Sequence, residues 1–140
     1  MAYEGEILNY CPSSAYTFSD TSAVVVSGAT WNPCGHLILN VGGRNGVYLH
    51  VAGIHDYPRY MNEEGYQRYL RENGKREIRR TPVRITDINA AMLKLEYLLA
   101  SKWTWGVLPH NCASFVEEIV QAGGSTAGLW LNCPSRGTFD

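Results

Sequence analysis

The stretch from His36 to Ala52 constrains the fold more than any other. Two runs, His36-Leu37-Ile38-Leu39-Asn40-Val41 and Val47-Tyr48-Leu49-His50-Val51-Ala52, flank Gly42-Gly43-Arg44-Asn45-Gly46. Branched and aromatic side chains suit a pleated surface, and a short glycine-bearing segment between two such runs closes a hairpin. A loop of five residues, Gly42 to Gly46, sets Val41 opposite Val47, Ile38 opposite His50 and His36 opposite Ala52. His36 and His50 are then diagonal neighbours on one face of the sheet, near enough for their side chains to meet. A register shifted by one residue would place them on opposite faces.

Either side of this hairpin the chain has two textures. Up to about Ala52 it is β-like, with Ser22-Ala23-Val24-Val25-Val26 as a further strand. From His55 to Gly74 a charged, tyrosine-rich stretch reads as a loop with one short helix. Glu77 to Ile85 returns to β character, with Pro82 marking an edge or a bulge. Thr86 or Asp87 caps a helix that carries Ile88, Ala91, Met92, Leu95, Leu98 and Leu99 on its buried side. In the tail from Ser125, Leu129-Trp130-Leu131 is expected to pack back on the body. No internal repeat or low-complexity linker divides the chain. With 140 residues and 45% hydrophobic content, residues 1–140 read as one domain with a real core.

Charge excludes some partners. The formal net charge is −1, so bulk electrostatics give no reason to expect a nucleic-acid partner. The basic cluster Lys75-Arg76 with Arg79-Arg80 is interrupted by Glu77 and reads as a solvated strand or loop edge, an anionic substrate or surface being the alternative. Met1-Ala-Tyr-Glu-Gly-Glu is acidic and no apolar core of a signal peptide follows it, so synthesis in the cytoplasm without a secretory signal is expected. No run approaches transmembrane length, so no integral membrane segment is expected either.

The segment Asn111-Cys112-Ala113-Ser114-Phe115-Val116-Glu117-Glu118 carries the chemistry. Phe115, Val116, Ile119 and Val120 fall on one helical face, Glu117, Glu118 and Gln121 on the other, and Gly123-Gly124 is a stop signal. Cys112 therefore sits at or near a helix N-terminus, where unpaired N–H groups and the helix dipole favour a thiolate. A thiolate is a nucleophile and a histidine its usual activator, although a cysteine here also suits a small buried hydrophobe. Two histidines on one sheet face favour a triad of Cys112 as nucleophile, His36 as base and His50 as the residue orienting the imidazole. His55 reads as a loop residue and His110 as a turn residue.

The other cysteines, Cys11, Cys34 and Cys133, are widely spaced, with no C-x-x-C pair, so no structural zinc site is expected; no other metal and no cofactor are expected either. Four cysteines allow two disulfides, but the lack of a secretory signal argues for a reducing place of synthesis. Cys34, in a Pro-Cys-Gly turn two residues before His36, is an alternative reactive thiol and is read as structural.

The order of these motifs resembles the circularly permuted branch of the NlpC-like, papain-like cysteine hydrolases, and within it the lecithin:retinol acyltransferase-like proteins. The matching stretches are Gly35-His36-Leu37-Ile38-Leu39-Asn40-Val41-Gly42, Val47-Tyr48-Leu49-His50, and Asn111 to Val116 after a helix like Ile88 to Leu99. The resemblance spans roughly residues 35–53 and 86–122. It implies a single α+β domain with an antiparallel β-sheet packed against helices, one of which presents the nucleophile. It also implies that Cys112 attacks a carbonyl to form a thioester, with His36 as base and then acid, His50 orienting His36, and the Cys112 backbone N–H holding the oxyanion. Ala113-Ser114 departs from the charged residue and histidine typical of the acyltransferase-like proteins, and the hydrophobic anchor many of them carry is not expected.

What the resemblance implies for substrate divides into two enzyme classes and one other. The first is an amidase or peptidase acting on bacterial cell-wall peptides, a secreted antibacterial effector delivered by a dedicated machine and matched by an immunity protein. The second is a lipid acyltransferase, phospholipase or thioesterase. The third is a non-catalytic binding module of the same fold. Asn111, Trp103, Trp105 and Tyr48 are candidate substrate-binding residues, and Tyr57, Tyr60, Tyr66 and Tyr69 line either a peptide cleft or an acyl groove, or belong to the core.

Overall fold

The computed structural model describes residues 2–7, 20–28, 34–51, 59–99 and 111–128, with backbone only at positions 7, 99 and 111–115. In chain order its elements are β1 (Glu6–Ile7), β2 (Thr21–Val26), β3 (His36–Val41), β4 (Val47–His50), β5 (Arg59–Met61), α1 (Glu63–Glu72), β6 (Glu77–Val83), α2 (Ile88–Leu99) and α3 (Asn111–Ala122). The strands form one six-stranded sheet in the order β1-β5-β4-β3-β2-β6. Every pairing in it is antiparallel. The domain is α+β.

The hairpin forms in the expected register, Val41 opposite Val47 and Leu39 opposite Leu49. Asn40 secures it. Its Nδ2 donates to the carbonyls of Gly43, at 2.9 Å, and Val47, at 3.1 Å, tying the short 3-10 turn Gly43–Asn45 to the start of β4.

Helices cover both faces of the sheet, which explains why the central strands are apolar runs and not alternating ones. On one face Ala23, Val25, Leu37, Leu39, Val41, Leu49 and Val51 pack with Ala91, Leu95 and Leu98 of α2 and Val116, Ile119 and Val120 of α3. α3 lies against β3 and β4, and α2 packs on α3. On the other face Val24, Val26, Ile38, Tyr48 and Met61 pack with Tyr66 and Tyr69 of α1. Sequence parity along β3 therefore assigns Leu37 and Leu39 to the α3 side and His36 and Ile38 to the α1 side.

Caps fix the helix ends. Asn62 Oδ1 accepts from Gly65 N at 2.7 Å at the start of α1. Asp87 Oδ1 accepts from Ala90 N at 3.0 Å at the start of α2, which settles the choice between Thr86 and Asp87. At the end of α3, Ser125 N bonds to the Val120 carbonyl and Gly124 N to that of Gln121, with Gly124 at φ 93°. This Schellman arrangement requires a left-handed residue, which glycine supplies without strain. The Gly123 carbonyl accepts from Thr86 N at 2.9 Å and Asp87 N at 2.8 Å, so the end of α3 is tied to the start of α2.

Several expectations change. The stretch read as a loop with one short helix holds that helix, the ten-residue α1, but also the strand β5, which was not expected. Ile88, assigned to the buried side of α2, is 43% exposed, because the first helical residue lies beyond the rim of the packed face. Pro82 sits on β6, an edge strand, as read, whereas the irregularity in this pairing falls at Val25/Val26. The basic cluster is only partly solvated: Arg76 is exposed, but Arg79 and Arg80 are half-buried, and Lys75 Nζ donates to the Ser27 carbonyl at 3.0 Å. Among the described residues, no helix is long and apolar enough to cross a membrane.

Candidate active site

The β3–β4 register delivers the two histidines to one place. His36 opens β3 and His50 closes β4, two residues apart across the ladder on the α1 side. Their rings meet edge to face, with centroids 5.0 Å apart and planes at 69°, and His36 Nε2 lies 2.8 Å from His50 Nδ1. His50 is completely buried, with the Tyr69 ring of α1 against it at 5.3 Å between centroids. Its Nε2 lies 2.8 Å from the main-chain carbonyl oxygen of Glu4.

That last contact sets the direction of the whole chain. A carbonyl only accepts, so His50 Nε2 carries the proton that bonds to Glu4. In a neutral imidazole Nδ1 is then the lone-pair nitrogen, and His36 Nε2–H donates to it. The remaining nitrogen of His36, Nδ1, is left with its lone pair, and among the described residues nothing bonds to it. Proton positions are thus inferred from obligatory acceptor chemistry. Burial, followed by the neighbouring His50 and Lys75, holds the His36 pKa well below the usual histidine value of 6.5. His36 is a neutral imidazole whose Nε2 is tethered and whose Nδ1 meets no partner among the described residues.

Cys112 is the second residue of α3, one turn before the buried Val116. Its backbone lies where the first N–H groups of a twelve-residue helix are unpaired by the helix itself. Its side chain and that of Asn111 fall outside the described residues, as do Trp103, Trp105, His55, His110, Tyr57, Cys11 and Cys133. The core face of α3 lies on the side of the sheet opposite the histidine pair. The structure thus brings His36 and His50 together, and places α3 against the two strands that carry them. Any thiol–imidazole contact would therefore have to run around the end of the sheet where β3 begins, not through its face.

Tyr48 does not belong to a substrate surface. It is completely buried and stacks on Tyr66, and its hydroxyl is bonded to Glu63 at 2.6 Å and to Arg80 Nη2 at 2.9 Å. Tyr66 and Tyr69 are likewise core residues, and Tyr60 packs against the core facing α2 and α3. Cys34 is disulfide-bonded, which departs from the expectation of reduced thiols; its partner lies outside the described side chains. Among the described residues no group of His, Cys, Asp or Glu is arranged to hold a metal ion.

Sequence reasoning missed the Glu4 carbonyl. A main-chain acceptor leaves no trace in residue type, and residues 4 and 50 are distant in sequence. Comparison with known proteins adds nothing to the geometry: no family model matches the chain, and no curated protein or solved structure does.

Proposed function

We propose that this chain is a cysteine hydrolase of the permuted NlpC-like, papain-like type, and that it cleaves amide bonds in cell-wall peptides. The observation that carries the reading is the pair of contacts from His36 Nε2 to His50 Nδ1 and from His50 Nε2 to the Glu4 carbonyl, which the carbonyl's acceptor-only chemistry directs one way. It leaves His36 Nδ1 as the basic atom, held in one orientation by a partner that cannot itself take the proton forward. A nucleophile–base–orienter arrangement needs a base of this kind.

In the reaction, His36 Nδ1 takes the Cys112 thiol proton as the sulfur attacks the substrate carbonyl carbon. Backbone N–H groups at the start of α3 stabilise the oxyanion. Collapse of the tetrahedral intermediate breaks the C–N bond, and the His36 imidazolium returns the proton to the departing amine. Water, deprotonated by His36, then attacks the thioester, releasing the carboxylate and restoring the thiol. His50 stabilises the imidazolium through the same bond that orients it. The α+β architecture and the order histidine, histidine, cysteine agree with the proposed family, and the Ala113-Ser114 departure turns the reading from lipid acyl transfer to amides.

The test is incubation of the protein with purified peptidoglycan sacculi and, in parallel, with phospholipid vesicles, using Cys112→Ala as control. Release of soluble muropeptides with new amine and carboxyl ends, absent in Cys112→Ala, is the expected result. Fatty-acid release from vesicles alone would replace the amidase with the lipid enzyme. Neither product, together with an ordinary thiol at Cys112, would leave a binding module.

A further inference from the structure

We propose that the N-terminal segment, residues 2–7, is a positioning strap whose Glu4 main-chain carbonyl selects the tautomer of His50 and thereby the direction in which His36 faces. The inference deepens the hydrolase reading and rests on it for its catalytic meaning. Two sets of anchors hold the segment. On the α1 side Tyr3 N donates to Glu72 Oε1 at 2.8 Å, Asn73 Nδ2 donates to the Tyr3 carbonyl at 2.8 Å, and the Arg68 guanidinium lies 4.4 Å from the centre of the Tyr3 ring. On the β5 side Glu6 and Ile7 pair with Tyr60 and Arg59, and Arg59 Nη1 donates to the Gly5 carbonyl at 3.2 Å. The Glu4 carbonyl is suspended between them and bonds to the buried His50.

Gly5 makes this orientation possible. It is buried at φ 102°, and a Cβ there would meet Met61 Cγ and the Tyr60 carbonyl oxygen, each at 3.0 Å. The Glu4–Gly5 peptide that carries the accepting oxygen is thus set by a residue that only glycine fills without strain. The choice of acceptor matters chemically. A water or hydroxyl in the same place could donate or accept, and would allow either tautomer of His50. A carbonyl allows one. Were His50 to flip to the other tautomer, its Nδ1–H would face His36 Nε2, and His36 would have to turn its own proton to Nδ1, the nitrogen the nucleophile needs unprotonated.

Long-range ¹H–¹⁵N NMR on the full chain labelled at histidine nitrogens reads the tautomers directly. Wild type should show both imidazoles protonated at Nε2. Gly5→Ala should give mixed tautomers at His50 and slow iodoacetamide labelling of Cys112 about 10-fold, a part of the ~10²–10⁴ that base catalysis supplies. Glu4→Ala, which keeps the carbonyl, should keep the wild-type tautomers. If Gly5→Ala does not fold, the double variant Glu72→Ala/Asn73→Ala, which frees Tyr3 from α1, should mix the tautomers in the same way, and restoring the acceptor as Glu72→Gln with Asn73 intact should return them. A wild type with His50 protonated at Nδ1, or released variants with unchanged tautomers, would overturn the proposal. The wild-type tautomer pattern and its loss in Gly5→Ala, seen beside an unreactive Cys112, would uphold the strap and remove the hydrolase.

Discussion

Tyr48 and Tyr66 stack face to face, ring centroids 4.0 Å apart and planes 8° from parallel. One ring comes from a central strand and the other from α1, on the sheet face that also carries the histidine pair. Tyr48 donates to Glu63 and accepts from Arg80, Tyr66 donates to Glu77 at 2.8 Å, and Arg80 closes the circuit with Glu77 at 2.8 Å. Burial and the bond to Glu63 push the Tyr48 pKa up to about 12, and burial with the bond to Glu77 pushes Tyr66 further up. Both hydroxyls are permanent donors. The stack pins α1 to the sheet, and α1 in turn presents Tyr69 to His50.

Removing either hydroxyl should therefore weaken the fold and not the chemistry. Tyr48→Phe and Tyr66→Phe should each cost about 1–3 kcal/mol, since each leaves part-buried charged partners short of a bond. Urea unfolding at constant slope measures the loss. Turnover per folded molecule should be unchanged. A selective loss of turnover in Tyr48→Phe, with stability intact, would return Tyr48 to the substrate site.

The two histidines should separate in kinetics. His36→Ala should lower kcat/KM by ~10²–10⁴-fold, the usual worth of a positioned base. His50→Ala should cost less, because it removes orientation and leaves the base. Steady-state rates on cell-wall peptides for the two variants, taken beside Cys112→Ala, measure the difference. Equal losses, or a larger one for His50→Ala, would exchange their roles.

Acid should destabilise the protein through His36. Its folded pKa lies below 6.5 because burial, His50 and Lys75 all oppose the charged form. Between that depressed value and the ordinary one the unfolded chain binds a proton that the folded chain refuses. The stability His36 contributes is accordingly complete above pH ~6.5 and is lost as pH falls through the window beneath it. Denaturation midpoints at several pH values, in wild type and His36→Gln, should show a steeper acid decline in wild type. An NMR titration midpoint for His36 at or above 6.5 would contradict the assignment.

Gly124→Ala should loosen the helix that bears Cys112. The substitution forces a left-handed residue to carry a Cβ, costing roughly 1–2 kcal/mol, and that Cβ would collide with Thr86 Oγ1. Because Gly123 also receives the Thr86 and Asp87 amides, α2 and α3 should loosen together. Thermal unfolding should shift down, with amide exchange faster in both helices. No shift would mean that the α3 terminus contributes nothing to holding the pair.

What could be read from residues alone follows from which forces are local. The hairpin was legible because Gly42 to Gly46 and the flanking β-formers act at short range, and parity then carried His36 and His50 to one face. The ends of α2 and α3 were legible for the same reason, through Asp87 and Gly123-Gly124. The strand Arg59–Met61 was not, since three residues hold no period and pair only because β1 and β4 lie on either side. Arg80 looked solvated because its partners Tyr48 and Glu77 meet only in the folded sheet. Nor could parity tell that α3 would cover the face opposite the histidines, since both faces of β3 are apolar.

The pairing of Cys112 with His36 is best tested by alkylation of each cysteine with iodoacetamide across pH, before reduction, in wild type and His36→Ala, read by peptide mass spectrometry. Cys34 is disulfide-bonded and should stay unlabelled until reduced. Cys112 should label fast well below the ordinary thiol pKa of about 8.5, and His36→Ala should slow it sharply. Labelling of Cys112 at the rate of an ordinary thiol, unaltered by His36→Ala, or its absence because Cys112 is itself the partner of Cys34, would contradict the catalytic assignment.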